Sequence, residues 1–316
     1  MKRVAFLFLI GFAVLLGGAA VWALTPDRPL SELEPLYLRA PADYVEVAGI
    51  RLHVRDDGPR DAPAVIMLHG FASSLHTWEP WAAALSGGYR VVRYDQPGFG
   101  LTGKEPGGDY SDDRGVAILS ALMDRLEIRN AVLVGNSMGG KIAWKFAVAH
   151  PGRVNALVLV SPDGFASPGF QYGKAPSVPA IMNLMAYALP KAMLRASLEP
   201  AYADPKRLTG AIVDRYYDMM LAPGVREAIL ARMKQTILVD PVPLLAQINA
   251  PVLLLWGEKD GMIPFSNAQD YLQVLPDARL VSLPDLGHVP FEEDPAASLT
   301  PVKDFLSSLP RPAASP

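Results

Sequence analysis

Ser137 stands in Gly135-Asn136-Ser137-Met138-Gly139-Gly140, between an apolar run over 131–134 and an amphipathic run over 141–149. On a sharp turn from a buried strand into a helix, a hydroxyl is raised above the sheet edge at the positive end of the helix dipole. The glycines two positions either side remove Cβ atoms that would collide across that turn. The chemistry this suits is nucleophilic attack, which a serine hydroxyl performs only with a base in hydrogen-bond reach. Of the five histidines, His288 is the candidate: in Gly287-His288-Val289-Pro290 it follows the last predicted strand, in a loop bounded by glycine. His53 lies inside a predicted antiparallel hairpin and reads as a surface strand residue. His69 belongs to a turn, His76 to the adjacent loop, and His150 closes the helix after Ser137.

Such a base needs a carboxylate to fix its tautomer and stabilise the imidazolium. Asp260 fits best, in Trp256-Gly257-Glu258-Lys259-Asp260-Gly261 just past a buried run, with Asp163 and Glu258 as rivals. An oxyanion needs two backbone N–H donors, worth ~3 kcal/mol each. Met138, opening the helix, supplies one. Phe71 supplies the other, because Gly70 in His69-Gly70-Phe71 lets the backbone turn after the strand that ends at Leu68.

The elements that must position these groups can be read from periodicity. Runs over 44–47 and 50–54 alternate about Ala48-Gly49 as a hairpin, and further strands fall at 64–68, 90–94, 131–134, 156–160, 252–256 and 279–283. Helical patterns over 78–85, 112–126, 141–149 and 299–309 alternate with them, which implies a mostly parallel sheet with helices on both faces. The rhythm stops near Asp163 and resumes after Asn249. Between them Met, Tyr and Leu recur at helical spacing (Met182, Met185, Tyr216, Tyr217, Met219, Met220). This insertion is expected to be a helical cap over the carboxyl ends of the strands. The expected organisation is a core over 42–162 and 250–309, a cap over 163–249, a Pro-rich linker over 25–41 and a disordered tail over 310–316.

Residues 4–24 carry no charge; as a helix they would be about 32 Å long, enough to span a bilayer core. An uncleaved membrane anchor is preferred over a cleaved signal, whose apolar region is shorter, and over a buried core helix. Lys2 and Arg3 would keep the amino terminus inside, exporting the catalytic part to the periplasmic or extracellular side, or releasing it there if the segment is cleaved. The other totals narrow the chemistry. A net charge of −3 gives no footprint for nucleic acid, and the absence of Cys removes disulfides, thiolate metal sites and a Cys nucleophile. Neither a metal-ligand cluster nor a phosphate or nucleotide loop is recognisable, so no cofactor and no metal are expected.

Taken together, His69-Gly70-Phe71, Asp95-Gln96-Pro97-Gly98-Phe99-Gly100, the Ser137 turn, Asp260 and Gly287-His288 resemble the α/β-hydrolase superfamily, in its capped esterase and carbon–carbon hydrolase-like branch. The resemblance covers 44–309. It implies an eight-stranded sheet with an antiparallel second strand, a cap where the rhythm stops, and a structural role for the Asp95 turn. One departure is Thr102-Gly103, where the family often has serine directly after the glycine. Serine at the elbow speaks against the carboxylate nucleophile of dehalogenases and epoxide hydrolases. The expected activity is hydrolysis of a carboxylic ester of an apolar, small-to-medium substrate through an acyl-enzyme, by a monomer or weak dimer. The alternative is carbon–carbon hydrolysis of a meta-cleavage-type diketone, which needs polar cap groups for a dienoate carboxylate; Lys191, Arg195 and Arg207 are available. Perhydrolase or haloperoxidase chemistry would use the same three residues. A non-catalytic binding module would predict a broken triad.

Overall fold

In the computed structural model, residues 24–166, 171–174 and 176–310 are described. The strands are β1 (Tyr44–Val47), β2 (Ile50–Asp57), β3 (Ala64–Leu68), β4 (Arg90–Tyr94), β5 (Ala131–Asn136), β6 (Val154–Val160), β7 (Val252–Gly257) and β8 (Ala278–Leu283). They form one sheet in the order β1-β2-β4-β3-β5-β6-β7-β8. β2 runs antiparallel to both β1 and β4, and every other pairing is parallel. The continuous apolar runs of β3, β5 and β7 are buried throughout, as strands covered on both faces must be.

Charges within the sheet are paired. Arg93 of β4 is buried, with Asp57 of β2 at 2.9 Å and Glu79 at 2.7 Å. Arg90 lies 2.7 Å from Asp56. Unpaired, either guanidinium would carry a desolvation cost of several kcal/mol.

Helices α1 (Leu30–Tyr37), α2 (Glu79–Leu85), α3 (Asp112–Arg125) and α4 (Met138–Ala149) come before the insertion. α3 shows why the sequence was legible here. The Ser111 side chain caps it by accepting from Arg114 N at 3.2 Å, Asp112 and Asp113 sit in its first turn, and Val116, Leu119, Leu122 and Met123 bury one stripe.

Between β6 and β7 the chain forms α5 (Lys191–Leu198), α6 (Gly210–Met220), α7 (Val225–Gln235) and the short α8 (Val242–Leu245), with no strand among the described residues. α9 (Ser266–Val274), α10 (Pro290–Glu293) and α11 (Pro295–Ser308) complete the core. Many of the cap's Met and Tyr side chains serve its own packing: Tyr216, Met219 and Met220 are buried in one cluster with Met138, Phe99 and Leu33.

That cluster corrects the linker expectation. Residues 25–41 contain α1, whose Leu33 is wholly buried. Arg28 pairs with Asp218 at 2.6 Å, Asp27 with Arg226 at 2.6 Å, and Arg28 N donates to Leu221 O at 2.7 Å. Prolines at 29 and 35 hid this helix, since the first stands at its N-cap, where proline is tolerated, and the second at a position where proline ordinarily breaks a helix. The expected anchor over 4–24 lies outside the described residues except for Leu24, and the tail lies outside them beyond Pro310. Among the described residues no helix is long and apolar enough to cross a membrane.

Candidate active site

β5 ends at Asn136 and α4 begins at Met138, leaving Ser137 alone to make the reversal, at φ 53° and ψ −121°. A non-glycine residue in that region is strained and persists only where its surroundings hold it. Here Ser137 N donates to Val160 O at 3.1 Å, and its carbonyl accepts from Lys141 N and Asp163 N at 3.0 Å each. A Cβ on Gly139 would lie 2.5 Å from His69 O, so the helix start packs directly on the loop after β3. Gly70 packs on the elbow as well: a Cβ there would be 2.7 Å from Asn136 Oδ1 and 3.3 Å from Ser137 Cβ. Among the described residues neither the Phe71 nor the Met138 N–H donates to a protein acceptor.

Asp260 follows β7 and His288 follows β8, both at the carboxyl edge of the sheet that carries Ser137. His288 Nδ1 lies 2.8 Å from Asp260 Oδ2. An ionised carboxylate only accepts, so Nδ1 carries the proton and Nε2 is left as the basic atom. Asp260 Oδ1 accepts from Met262 N at 2.8 Å and Ile263 N at 2.9 Å, which fixes the carboxylate's rotation. The rival Asp163 is half-buried and turned toward Lys141, whose Nζ is 3.8 Å away. Burial raises its pKa, against the opposing pull of Lys141.

Asn136 is a residue that sequence reasoning missed. Its Nδ2 donates to Val160 O at 3.1 Å and to His288 O at 3.0 Å, tying the histidine loop to the elbow. Its only signal was its place inside the Ser137 motif.

The other histidines are accounted for by structure. His69 Nε2 accepts from Gln96 N at 2.9 Å and Nδ1 donates to Gly70 O at 2.7 Å, so the ring is neutral, and burial lowers its pKa. His53 corrects the surface expectation: it is fully buried, with Nδ1 2.8 Å from Asp95 Oδ2. The turn after β4 folds over that end of β2, which the alternation of β2 alone did not show. Asp95 also accepts from Leu75 N at 2.7 Å and Leu101 N at 2.8 Å. Burial pushes its pKa up, but His53 and the neighbouring histidines hold it well below the usual carboxylate range. Thr102, the departure noted above, closes the same turn: its hydroxyl donates to Asp95 O at 2.7 Å and accepts from His53 N at 2.9 Å.

With this geometry in place, likeness to known proteins becomes informative. Residues 63–295, well over half of the chain, match the family described as alpha/beta hydrolase fold. The chain belongs to that family. Among curated α/β-hydrolases, a 2-hydroxy-6-oxo-6-phenylhexa-2,4-dienoate hydrolase of Burkholderia cepacia is 30% identical over 256 residues, covering 77% of this chain and 86% of that one. The crystal structure of the enol-lactonase from Burkholderia xenovorans LB400 superposes with a TM-score of 0.73 at 27% identity, covering 84% of this chain and 100% of that one. A bacterial membrane phospholipase A superposes at 0.72 with 23% identity, covering 97% and 98%. At that identity the likeness is one of fold. The relatives include meta-cleavage product hydrolases, so the carbon–carbon branch of the resemblance is represented among them.

Proposed function

We propose that this α/β-hydrolase is a serine hydrolase in which Ser137 is the nucleophile, His288 the general base, Asp260 the orienting acid, and the Phe71 and Met138 N–H groups the oxyanion donors. Ser137 Oγ attacks a substrate carbonyl carbon as its proton passes to His288 Nε2, and the carbonyl electron pair moves onto oxygen between the two N–H groups. Collapse expels the leaving group, which takes the proton from His288. Water then attacks the acyl-enzyme, gives a proton to the same nitrogen, and Ser137 is regenerated. The His288–Asp260 contact of 2.8 Å is the observation that carries this reading.

For the substrate, we read an uncharged, apolar carboxylic ester. What supports it is the disposition of the cap's cations. Lys191 pairs with Asp214 at 2.8 Å, Arg195 donates to Leu208 O at 3.0 Å, and Arg207 donates to Glu293 O at 2.7 Å. Arg215 is paired with Glu292 and Arg226 with Asp27. Each is committed to a protein acceptor, whereas a dienoate carboxylate needs a cation of its own.

The second reading is carbon–carbon hydrolysis of a meta-cleavage-type diketone, and the activities named for the curated relatives favour it over ester cleavage. The Burkholderia cepacia relative is a dienoate hydrolase by name, and a second, from Comamonas testosteroni, 30% identical, is by name a 2-hydroxy-6-oxononadienedioate/2-hydroxy-6-oxononatrienedioate hydrolase. A p-nitrophenyl ester panel from acetate to palmitate, run beside a ring-cleavage dienoate, separates the two. Ester turnover lost in Ser137→Ala supports the first reading. Turnover of the dienoate with no ester cleaved establishes the second.

We also propose that residues 4–24 anchor the protein with its catalytic domain on the exported side. The chain enters the cap where Thr25 N donates to Tyr187 O at 2.9 Å. Around that point Leu24, Ile181, Leu184, Tyr187 and Met193 are exposed, a concentration of apolar surface that suits a lipid interface. Alkaline extraction of membranes tests it. Release of the full chain into the soluble fraction would overturn the anchor.

A further inference from the structure

One stretch of the cap that crosses the site is residues 200–204, between α5 and α6. Its backbone reaches both loops that carry the acid and the base. Pro200 O accepts from Gly261 N at 3.2 Å, one residue past Asp260, and Ala201 O accepts from His288 N at 2.8 Å. The approach leaves no room for side chains: a Cβ on Gly261 would lie 2.6 Å from Pro200 O, and one on Gly287 would lie 2.6 Å from Ala201 O.

Glu293, in α10, closes the arrangement. It is buried; Oε1 accepts from Gly287 N at 2.6 Å, while Oε2 accepts from Ala203 N at 2.8 Å and Asp204 N at 3.4 Å. One carboxylate therefore holds the residue before His288 on one side and the cap on the other. Only an acid does this: both oxygens accept, whereas an amide would turn its NH2 group against one of the N–H donors. Burial pushes the Glu293 pKa up, and the three N–H groups pull against it.

We infer that Glu293 is a positioning residue, which together with residues 200–204 of the cap sets the register of the His288 and Asp260 loops, so that the cap is part of the catalytic scaffold as well as a cover. This rests on the reading of Ser137, Asp260 and His288 as the catalytic groups. Hydrogen bonds from backbone to a buried carboxylate are charge-assisted and stronger than neutral ones. Displacing a base by about 1 Å from its productive position costs roughly 10²-fold in rate.

The test uses the full chain in detergent and two variants that act from opposite sides. Glu293→Gln alters the core acceptor. Ala203→Pro deletes the donor from the cap side, its Cδ standing where the N–H pointed at Oε2; the extended backbone of Tyr202, φ −110° and ψ 130°, accommodates a following proline. The first readout is the rate at which a fluorophosphonate probe labels Ser137, which needs nucleophile and base but no particular substrate. The expected result is a fall of about 10- to 100-fold in labelling and in kcat. KM should stay within about twofold, because the groups displaced are those of the reaction rather than of binding. Folded variants that label at the wild-type rate would overturn the positioning role, and so would a rise in KM alone. Should Glu293→Gln not fold, Ala203→Pro decides; failure of both to fold would make the contact purely structural and overturn the inference. If the wild type takes the label but cleaves no ester, the ester reading fails while labelling still decides this one. A wild type that takes no label overturns both.

Discussion

Asp260 Oδ2 lies 2.8 Å from His288 Nδ1, the same distance that separates Asp95 Oδ2 from His53 Nδ1. The two pairs share a geometry and differ in setting. The first stands at the carboxyl edge of the sheet that carries Ser137. The second is sealed beneath the turn after β4, where Asp95, like Asp260, also accepts from two backbone N–H groups. Asp260→Asn is expected to lower kcat by roughly 10³- to 10⁴-fold, through loss of the tautomer that leaves Nε2 basic, and to lower the melting temperature as well, since Asp260 too accepts three hydrogen bonds. Asp95→Asn should likewise lower the melting temperature by several degrees, because a buried amide cannot replace three accepted hydrogen bonds, but should cost far less in kcat. Melting and steady-state kinetics on both variants check the pair.

Asp163 provides a control. It faces Lys141 and makes no hydrogen bond to His288, so Asp163→Asn should cost less than about tenfold in kcat. A loss as large as that of Asp260→Asn would reassign the acid.

Ser137 carries strain as well as the hydroxyl. Both Ser137→Ala and Ser137→Gly should abolish turnover and fluorophosphonate labelling. Ser137→Gly should melt higher than Ser137→Ala, since glycine occupies φ 53° without the Cβ penalty. Equal melting temperatures would show that the elbow stores no strain.

Gly139 has no space for a methyl group, with His69 O 2.5 Å from where its Cβ would be. Gly139→Ala should lose about 3 kcal/mol or more, by forcing α4 off the loop after β3. A urea midpoint within error of the wild type would refute this.

His76 is buried, and desolvation lowers its pKa to about 3. Its unfolded-state value is near 6.5, so between pH 6.5 and about 3 the unfolded chain binds the extra proton. Stability from this group is therefore complete above pH 6.5 and is lost as pH falls through that window, at up to about 1.4 kcal/mol per pH unit. Urea midpoints from pH 7 to pH 4 should fall, and fall less steeply in His76→Gln. A parallel slope in the variant would assign the effect to other groups.

Much of the frame was legible because it is periodic or local. The buried strands declare themselves as unbroken apolar runs, α3 by its cap and stripe, and the Ser137 turn by glycines whose Cβ atoms would strike backbone. The helical insertion between β6 and β7 falls where the strand rhythm stops. The family match over 63–295 agrees with that reading of the sheet.

What the sequence did not carry are relationships between segments far apart in the chain. The helix over Leu30–Tyr37 is held by Leu33 in a cluster with α6 and α7, contacts that no local propensity encodes and that override two prolines. His53 is buried because a turn some forty residues on closes over it. Nothing in a lone Glu293 shows that its two oxygens join Gly287 to Ala203. Residue types and their local spacing determined the fold class and the candidate chemistry, since covalent neighbours fix what a turn or strand can be. Tertiary structure alone decided which carboxylate meets His288, which histidines are buried and where the cap is fastened, because those depend on desolvation and hydrogen bonds between groups that only folding brings together.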